Sequence, residues 1–192
     1  MNLPNFLTMS RCVLAVFIVG LLLANTYASI VAATVLFVVA SLTDFYDGYL
    51  AKKQGLITDF GKIMDPIADK VLMLLVFGAL YFLGLMDAWM WVIIALREIV
   101  VTFSRLHAIQ HGLVIPAEKA GKIKTVCQIL TIMVALLFLI CEQSDFAATW
   151  FYRFEMPWRT SIQVLMLASV ALTVVSGASY FKTKVALSGK DR

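Results

Sequence analysis

Charged residues are scarce in this chain. Asp, Glu, Lys and Arg make up 15% of its 192 residues, whereas a typical soluble domain carries about 25%. Apolar residues make up 61% of the chain. This composition excludes an ordinary soluble domain and favours a helical bundle in a lipid bilayer.

Paired cysteines and a nucleic-acid-binding pattern are also absent. Cys12, Cys127 and Cys141 lie in separate apolar runs, which excludes a disulfide framework and a cysteine-ligated zinc site. The formal net charge is +4, but the basic residues flank apolar runs and do not alternate with aromatic residues. We therefore expect contacts with anionic membrane lipids and no nucleic-acid partner.

No linker, repeat or low-complexity segment divides the chain, so we predict a single domain over residues 1–192. A membrane-spanning helix needs about 20 mostly apolar residues. The first apolar run has no convincing cleavage site after it, which argues against a signal peptide. We predict an all-α, polytopic membrane protein with six transmembrane helices: Phe6–Ala24, Ser29–Lys52, Gly61–Leu83, Ala88–Gln110, Lys119–Ile140 and Thr160–Phe181.

The basic residues predict the orientation in the membrane. The loops at 25–28 and 84–87 contain no Lys or Arg, and the predicted loop at 141–159 mixes both signs of charge. Most lysines gather at the opposite ends of the helices. Because positively charged loops remain in the cytoplasm, we expect both termini to be cytoplasmic.

Four aspartates interrupt the apolar pattern near that cytoplasmic side. Asp44 and Asp47 lie towards the end of the second predicted helix, and Asp65 and Asp69 lie near the start of the third. Placing an aspartate in the middle of the membrane costs about 2.5–3.5 kcal/mol. The apolar residues of the second helix could not offset that cost for two central aspartates. We therefore expect the four carboxylates to converge in a polar cavity that opens to the cytoplasm.

Helical spacing puts the aspartates on shared faces with small residues. The two predicted faces comprise Asp44, Asp47, Gly48 and Ala51 on the second helix, and Gly61, Asp65 and Asp69 on the third. Four clustered carboxylates repel one another, and divalent cations would neutralise that charge. All-oxygen ligands favour Mg²⁺, Mn²⁺ or Ca²⁺, and the glycines leave room for a bulky ligand.

Other polar residues have simpler interpretations. Asp87 precedes a predicted helix, where a capping role is the default. Arg97 and Glu98 lie inside the fourth helix, and we interpret them as an internal ion pair that holds helices together, with a role in the site as the alternative. His107 and His111 are four residues apart, but no third metal ligand accompanies them.

The segment from Asp44 to Asp69 resembles the signature of the CDP-alcohol phosphotransferases. The family pattern is D-x2-D-G-x2-A-R-x8-G-x3-D-x3-D, and every spacing fits the 26 residues of this segment. Lys52 stands where the family usually has Arg, so the charge is kept but the planar guanidinium is lost. The resemblance implies a six-helix membrane enzyme that acts on a CDP-linked substrate.

The resemblance also implies roles for individual residues. Asp69 would be the general base, and two metal ions, Mg²⁺ or Mn²⁺, would be bound by Asp44, Asp47, Asp65 and Asp69. The CDP pocket would be formed by Gly48, Ala51, Lys52 and Gly61.

Other stretches, NLPNFLTMSR, ALREIVVTFSR and GKIKT, are similar to bacterial members that transfer a phosphatidyl group from CDP-diacylglycerol to glycerol 3-phosphate. The resemblance then implies phosphatidylglycerol phosphate and CMP as products, a homodimer, and a place in the bacterial inner membrane. The dianionic acceptor needs a cation site, for which we predict Arg105, Lys122 and Lys124, with no carboxylate partner nearby.

Two alternatives remain at this stage. A member of the same family could use another acceptor, such as inositol phosphate, serine or phosphatidylglycerol. A divalent-cation transporter could use the aspartates as an ion pathway, but it should carry acidic residues in both halves of the bilayer. The helix aspartates here occur only near the predicted cytoplasmic end.

Overall fold

Six α-helices account for almost all of the chain that the computed structural model describes, which is residues 3–54, 59–110, 119–144, 146 and 148–188. In chain order the helices are α1 (Leu3–Ala24), α2 (Tyr27–Gln54), α3 (Asp59–Phe82), α4 (Ala88–Gln110), α5 (Lys119–Glu142) and α6 (Ala148–Ser188). The all-helical prediction is confirmed. The predicted bounds of the first five helices agree with the structure within three residues, and those of α4 coincide.

The predicted start of the sixth helix is wrong. We expected a loop over residues 141–159, a stretch that carries charged residues of both signs. In the structure α6 begins at Ala148 and continues through the proline. Arg159 stabilises this extra segment, since it bonds Glu155 one turn back at 3.0 Å and Glu142 at the end of α5 at 2.7 Å. The same guanidinium lies 4.8 Å from the centre of the Phe138 ring.

Helix α1 packs against both α2 and α3, so it joins the two helices that carry the aspartates. Helix α3 packs on α4, α4 on α6, and α5 on both α6 and α2. The interior is filled by large apolar side chains that are fully buried, among them Phe37, Phe77, Leu80, Ile94, Leu136 and Phe138. One continuous core therefore supports all six helices.

The exterior is apolar as well. Large hydrophobic side chains are exposed on every helix, and those of Val13, Phe82 and Val185 are more than two-thirds accessible. In the described part of the chain, Gly121–Glu142 and Phe151–Val185 are long and apolar enough to cross a membrane. Three shorter apolar segments are Ser10–Ala24, Tyr27–Thr43 and Lys70–Phe82. An exterior of this kind suits contact with lipid.

The tight connections between helices use local hydrogen bonds. Thr26 caps α2, because the backbone N–H of Ser29 donates to the Thr26 Oγ1 and the Thr26 N–H donates to the Ser29 Oγ. At the end of α3, Gly84 has a φ of +74°. The Leu85 N–H donates to the Leu80 carbonyl and the Gly84 N–H to the Tyr81 carbonyl, both at 3.0 Å, as in a Schellman motif.

Gly84→Ala is expected to destabilise the protein by about 1–2 kcal/mol, because a side chain disfavours the left-handed conformation. A Cβ there would meet no atom within 4 Å, so the effect comes from the backbone alone. The matched control is Gly20→Ala inside α1. A Cβ there also meets no atom within 4 Å, and alanine has a higher helix propensity than glycine. Thermal unfolding in detergent should show a lower midpoint for Gly84→Ala only. An equal loss in both variants would contradict this.

Candidate functional site

The four aspartates lie on the two helices that α1 joins. Asp44 and Asp47 belong to α2, and Asp65 and Asp69 belong to α3. Their side chains lie outside the described part of the structure. The same holds for the predicted CDP-pocket positions, Gly48, Ala51, Lys52 and Gly61. Among the side chains that are described, no three His, Cys, Asp or Glu residues cluster as a metal site.

A buried ionic network begins one residue beyond Asp69. Lys70 is on α3, and its Nζ lies 3.8 Å from the Glu98 Oε2 of α4. Glu98 is only 2% exposed, and its other oxygen accepts a hydrogen bond from the Lys124 ammonium of α5. Lys124 is also 2% exposed. One carboxylate thus connects three helices at the level of the residue that follows Asp69.

Arg97 extends this network to α6. Its Nη1 donates to the Glu98 Oε1 at 3.1 Å, and its Nη2 donates to the Ser176 Oγ at 2.8 Å. Gly177 permits this approach, because a Cβ at that position would lie 3.3 Å from the Arg97 Cγ. The interpretation of Arg97 and Glu98 as an internal pair that holds helices together is confirmed.

Positive charge outweighs negative charge in this network. Arg97 and Lys124 are paired with a single acid, Glu98, among the described side chains. Burying an ion is expensive unless a partner compensates its charge and fills its hydrogen-bonding capacity. An ammonium has three N–H donors and Glu98 occupies one of them. Among the described contacts, Glu98 therefore leaves two N–H donors of the Lys124 ammonium unoccupied.

A second group of polar residues surrounds Arg105 on the last turns of α4. Arg105 is exposed, and its guanidinium carbon lies 5.7 Å from the centre of the Tyr180 ring on α6. The adjacent residue, Ser104, accepts a hydrogen bond from the Lys184 ammonium at 2.8 Å. The Tyr180 hydroxyl lies 3.5 Å from the same Ser104 oxygen. Two cations from different helices thus approach one edge of the bundle.

The predicted acceptor residues have different surroundings. Lys124 points into the bundle, whereas Lys122 is exposed. Two residues apart on a helix are separated by about 200° around the axis, so the two lysines face different directions. The expectation that Lys124 has no carboxylate partner is wrong, because Glu98 of α4 reaches it. Arg105 lies two turns from Glu98 along α4, with Tyr180 as its neighbour.

Several site residues were not predicted from the sequence. Lys184 was treated only as a topology signal, and Lys70 and Ser176 had no predicted role. Ser176 lies three residues after Thr173 and four residues before Tyr180 on α6, and this spacing is only a weak signal of a role in the site. The Glu98 partnership with Lys124 spans 26 residues and depends on how two helices are rotated. His107 is exposed, and His111 lies outside the described residues.

Comparison with known proteins agrees with the signature on α2 and α3. A family model described as CDP-alcohol phosphatidyltransferase matches residues 1–178. The chain belongs to the CDP-alcohol phosphatidyltransferase family. The match includes both aspartate-bearing helices and the whole ionic network, whereas Tyr180 and Lys184 of the group around Arg105 lie beyond it.

Individual members of the family are similar over most of their length. A Bacillus subtilis (strain 168) protein named CDP-diacylglycerol–glycerol-3-phosphate 3-phosphatidyltransferase is 34% identical over 192 residues, covering 94% of this chain and 93% of the relative. A Rickettsia felis protein of the same name is 35% identical, covering 94% of each chain. A Mycobacterium tuberculosis (strain CDC 1551 / Oshkosh) protein named probable phosphatidylglycerophosphate synthase is 37% identical, covering 93% of this chain and 79% of the relative.

Proposed function

We propose that the chain transfers the phosphatidyl group of CDP-diacylglycerol to glycerol 3-phosphate, which gives phosphatidylglycerol phosphate and CMP. The observation that carries this proposal is the similarity to proteins named for this reaction, since it extends over 94% of the chain. The signature with its four aspartates supports it, because all four positions lie on two consecutive helices that both pack against α1.

The enzyme acts as a multi-pass protein of a bacterial cell membrane, with all six helices crossing the bilayer. The exposed apolar side chains of every helix support this. Helix α6 has 41 residues and is about 60 Å long, roughly twice the hydrocarbon thickness, so it extends well beyond the bilayer core. Both termini and the polar cavity face the cytoplasm. Two copies of the chain form a homodimer, and cross-linking in intact membranes would test this association.

The donor set of the aspartate positions fits divalent cations. Asp44, Asp47, Asp65 and Asp69 supply only carboxylate oxygens, which are ligands that Mg²⁺ and Mn²⁺ prefer. These residues would hold two ions. When bound, the ions would neutralise the diphosphate and the departing CMP.

Asp69 acts as the general base. Its carboxylate takes the proton from the primary hydroxyl of glycerol 3-phosphate as that oxygen attacks the phosphorus that carries the diacylglycerol. A new P–O bond forms to the acceptor, and the bond to the CMP oxygen breaks. CMP leaves with the electron pair of that bond, and the proton stays on Asp69.

The CDP portion is held by the rest of the signature. Gly48, Ala51 and Gly61 leave space for the nucleotide, and Lys52 pairs with the diphosphate in place of the usual arginine. An ammonium makes a single-point contact where a guanidinium makes two parallel ones. Lys52→Arg is therefore expected to preserve or improve binding of CDP-diacylglycerol.

The acceptor phosphate is bound by Arg105, Lys122 and Lys124. Lys124 is supported best, since its ammonium retains donors that Glu98 does not occupy. Arg105 is exposed at the end of α4 and retains most of its guanidinium donors above the Tyr180 ring. Lys122 contributes long-range attraction from the exposed face of α5.

Arg105→Ala and Lys124→Ala are expected to raise the KM for glycerol 3-phosphate about ten- to a hundredfold. Each loses a charge-assisted hydrogen bond, which contributes about 1.5–3 kcal/mol. The KM for CDP-diacylglycerol should change little. Arg153→Ala is the control, because Arg153 is an exposed arginine at the start of α6, far along the chain from these cations. Weaker CDP-diacylglycerol binding with an unchanged acceptor KM would contradict the assignment.

The proposed reaction is tested by CMP release from purified protein in detergent. Incubation with CDP-diacylglycerol alone should release little CMP, and addition of glycerol 3-phosphate should start rapid release. No release with any acceptor would contradict the proposal and would favour the transporter hypothesis.

A further inference from the structure

Glu98 interacts with charged residues of two other helices. It lies on α4 and approaches Lys70 of α3 and Lys124 of α5, while its neighbour Arg97 reaches Ser176 of α6. Its side chain is 2% exposed, so water does not screen these interactions. None of the proposed catalytic steps uses this carboxylate.

We propose that Glu98 is a positioning residue for the acceptor, which aims the Lys124 ammonium at the phosphate of glycerol 3-phosphate. This inference rests on the proposed function and deepens its acceptor site. Lysine has four rotatable bonds and a compact charge, so by itself it would not hold one direction. The hydrogen bond to Glu98 fixes one N–H and thereby the orientation of the other two.

The balance of charge supports this role over a purely structural one. An ion pair with only a structural role would contain one cation for each acid and would therefore be electrically neutral. Here Arg97 and Lys124 share the same Glu98 oxygen, so this cluster carries more positive than negative charge among the described side chains. A bound phosphate would compensate that charge. The network also begins at Lys70, next to the proposed base Asp69, so the acceptor phosphate and its hydroxyl would be held by connected residues.

A double-mutant cycle with Glu98→Gln and Lys124→Met tests the inference. Glutamine keeps the shape of the side chain without its charge, and methionine keeps the length of the lysine stem. CMP release from the full-length protein gives kcat and the KM of both substrates. We expect each single variant to raise the KM for glycerol 3-phosphate about tenfold or more, with less than about a twofold change for CDP-diacylglycerol.

The cycle is decided by the double variant. If Glu98 acts through Lys124, the double variant has the same acceptor KM as Lys124→Met, because nothing remains to be positioned. If the double variant is a further tenfold worse, the effects are independent and the inference is overturned. This comparison remains valid even if Glu98→Gln alone folds poorly, since the double variant removes the buried Glu98–Lys124 pair together and Arg97 keeps its hydrogen bond to Ser176.

Glu142→Gln is the matched control, because Glu142 also pairs with a cation, Arg159, at 2.7 Å but at the other end of α5. It should leave both KM values unchanged. A Glu98→Gln variant that loses thermal stability but keeps a wild-type acceptor KM would show a structural role only and would overturn the inference. Absence of CMP release by the wild-type protein would overturn the proposed function and this inference together.

Discussion

Asp69→Asn is expected to lower kcat by about a hundred- to ten-thousandfold, which is the usual contribution of a general base. Asparagine cannot accept the proton of the attacking hydroxyl, whereas Asp44, Asp47 and Asp65 remain to bind metal. The variant should therefore still bind CDP-diacylglycerol. Single-turnover CMP release and a direct binding measurement on the same preparation separate these two effects.

Asp87→Asn is the control for this substitution. Asp87 precedes the first residue of α4, outside the aspartate signature, and asparagine is as good as aspartate at such a position. The control should keep wild-type kcat and stability. A near-wild-type kcat for Asp69→Asn would show that Asp69 is not the base, even if metal binding remained intact.

Removal of divalent cations is expected to abolish turnover, and Mg²⁺ or Mn²⁺ should restore it. Four aspartates within 26 residues would repel one another without a compensating cation. The diphosphate of the substrate adds further negative charge at the same place. Titration of chelated protein with each metal, with CMP release as the readout, gives the metal requirement directly.

Asp65→Asn should raise the metal concentration needed for half-maximal activity and remove most turnover, because one carboxylate ligand is lost. Glu155→Gln is a suitable control, since that carboxylate pairs with Arg159 on α6 and belongs to no proposed metal site. Full wild-type activity in excess chelator would contradict the two-metal proposal.

The helices were predictable where charged and turn residues flank the apolar runs. Both bounds of α4 were predicted because Asp87 precedes its start and its apolar pattern ends near Gln110. The start of α6 could not be predicted in this way. Pro157 normally ends a helix, but Arg159, Glu155 and the packing of Trp158 against Phe138 stabilise helix on both sides of it.

The candidate site was predictable in part. The positions of the aspartates could be predicted from their spacing alone. Asp44 and Asp47 are three residues apart, and Asp65 and Asp69 are four apart, which places each pair on one face of a helix near its end. The surroundings of Lys124 depend on tertiary packing, which brings Glu98 of α4 against α5. Helical periodicity could have separated Lys122 from Lys124, since residues two apart face different directions. Arg97 and Glu98 were recognised as a pair, but not as the centre of a network.

An acceptor panel tests the central claim most directly. Purified protein would receive CDP-diacylglycerol and Mg²⁺ with glycerol 3-phosphate, inositol phosphate, serine or phosphatidylglycerol, and mass spectrometry would identify the lipid product. We predict phosphatidylglycerol phosphate, with a kcat/KM for glycerol 3-phosphate at least about a hundredfold above that of any acceptor without a phosphomonoester. Equal or faster transfer to serine or phosphatidylglycerol would contradict the account.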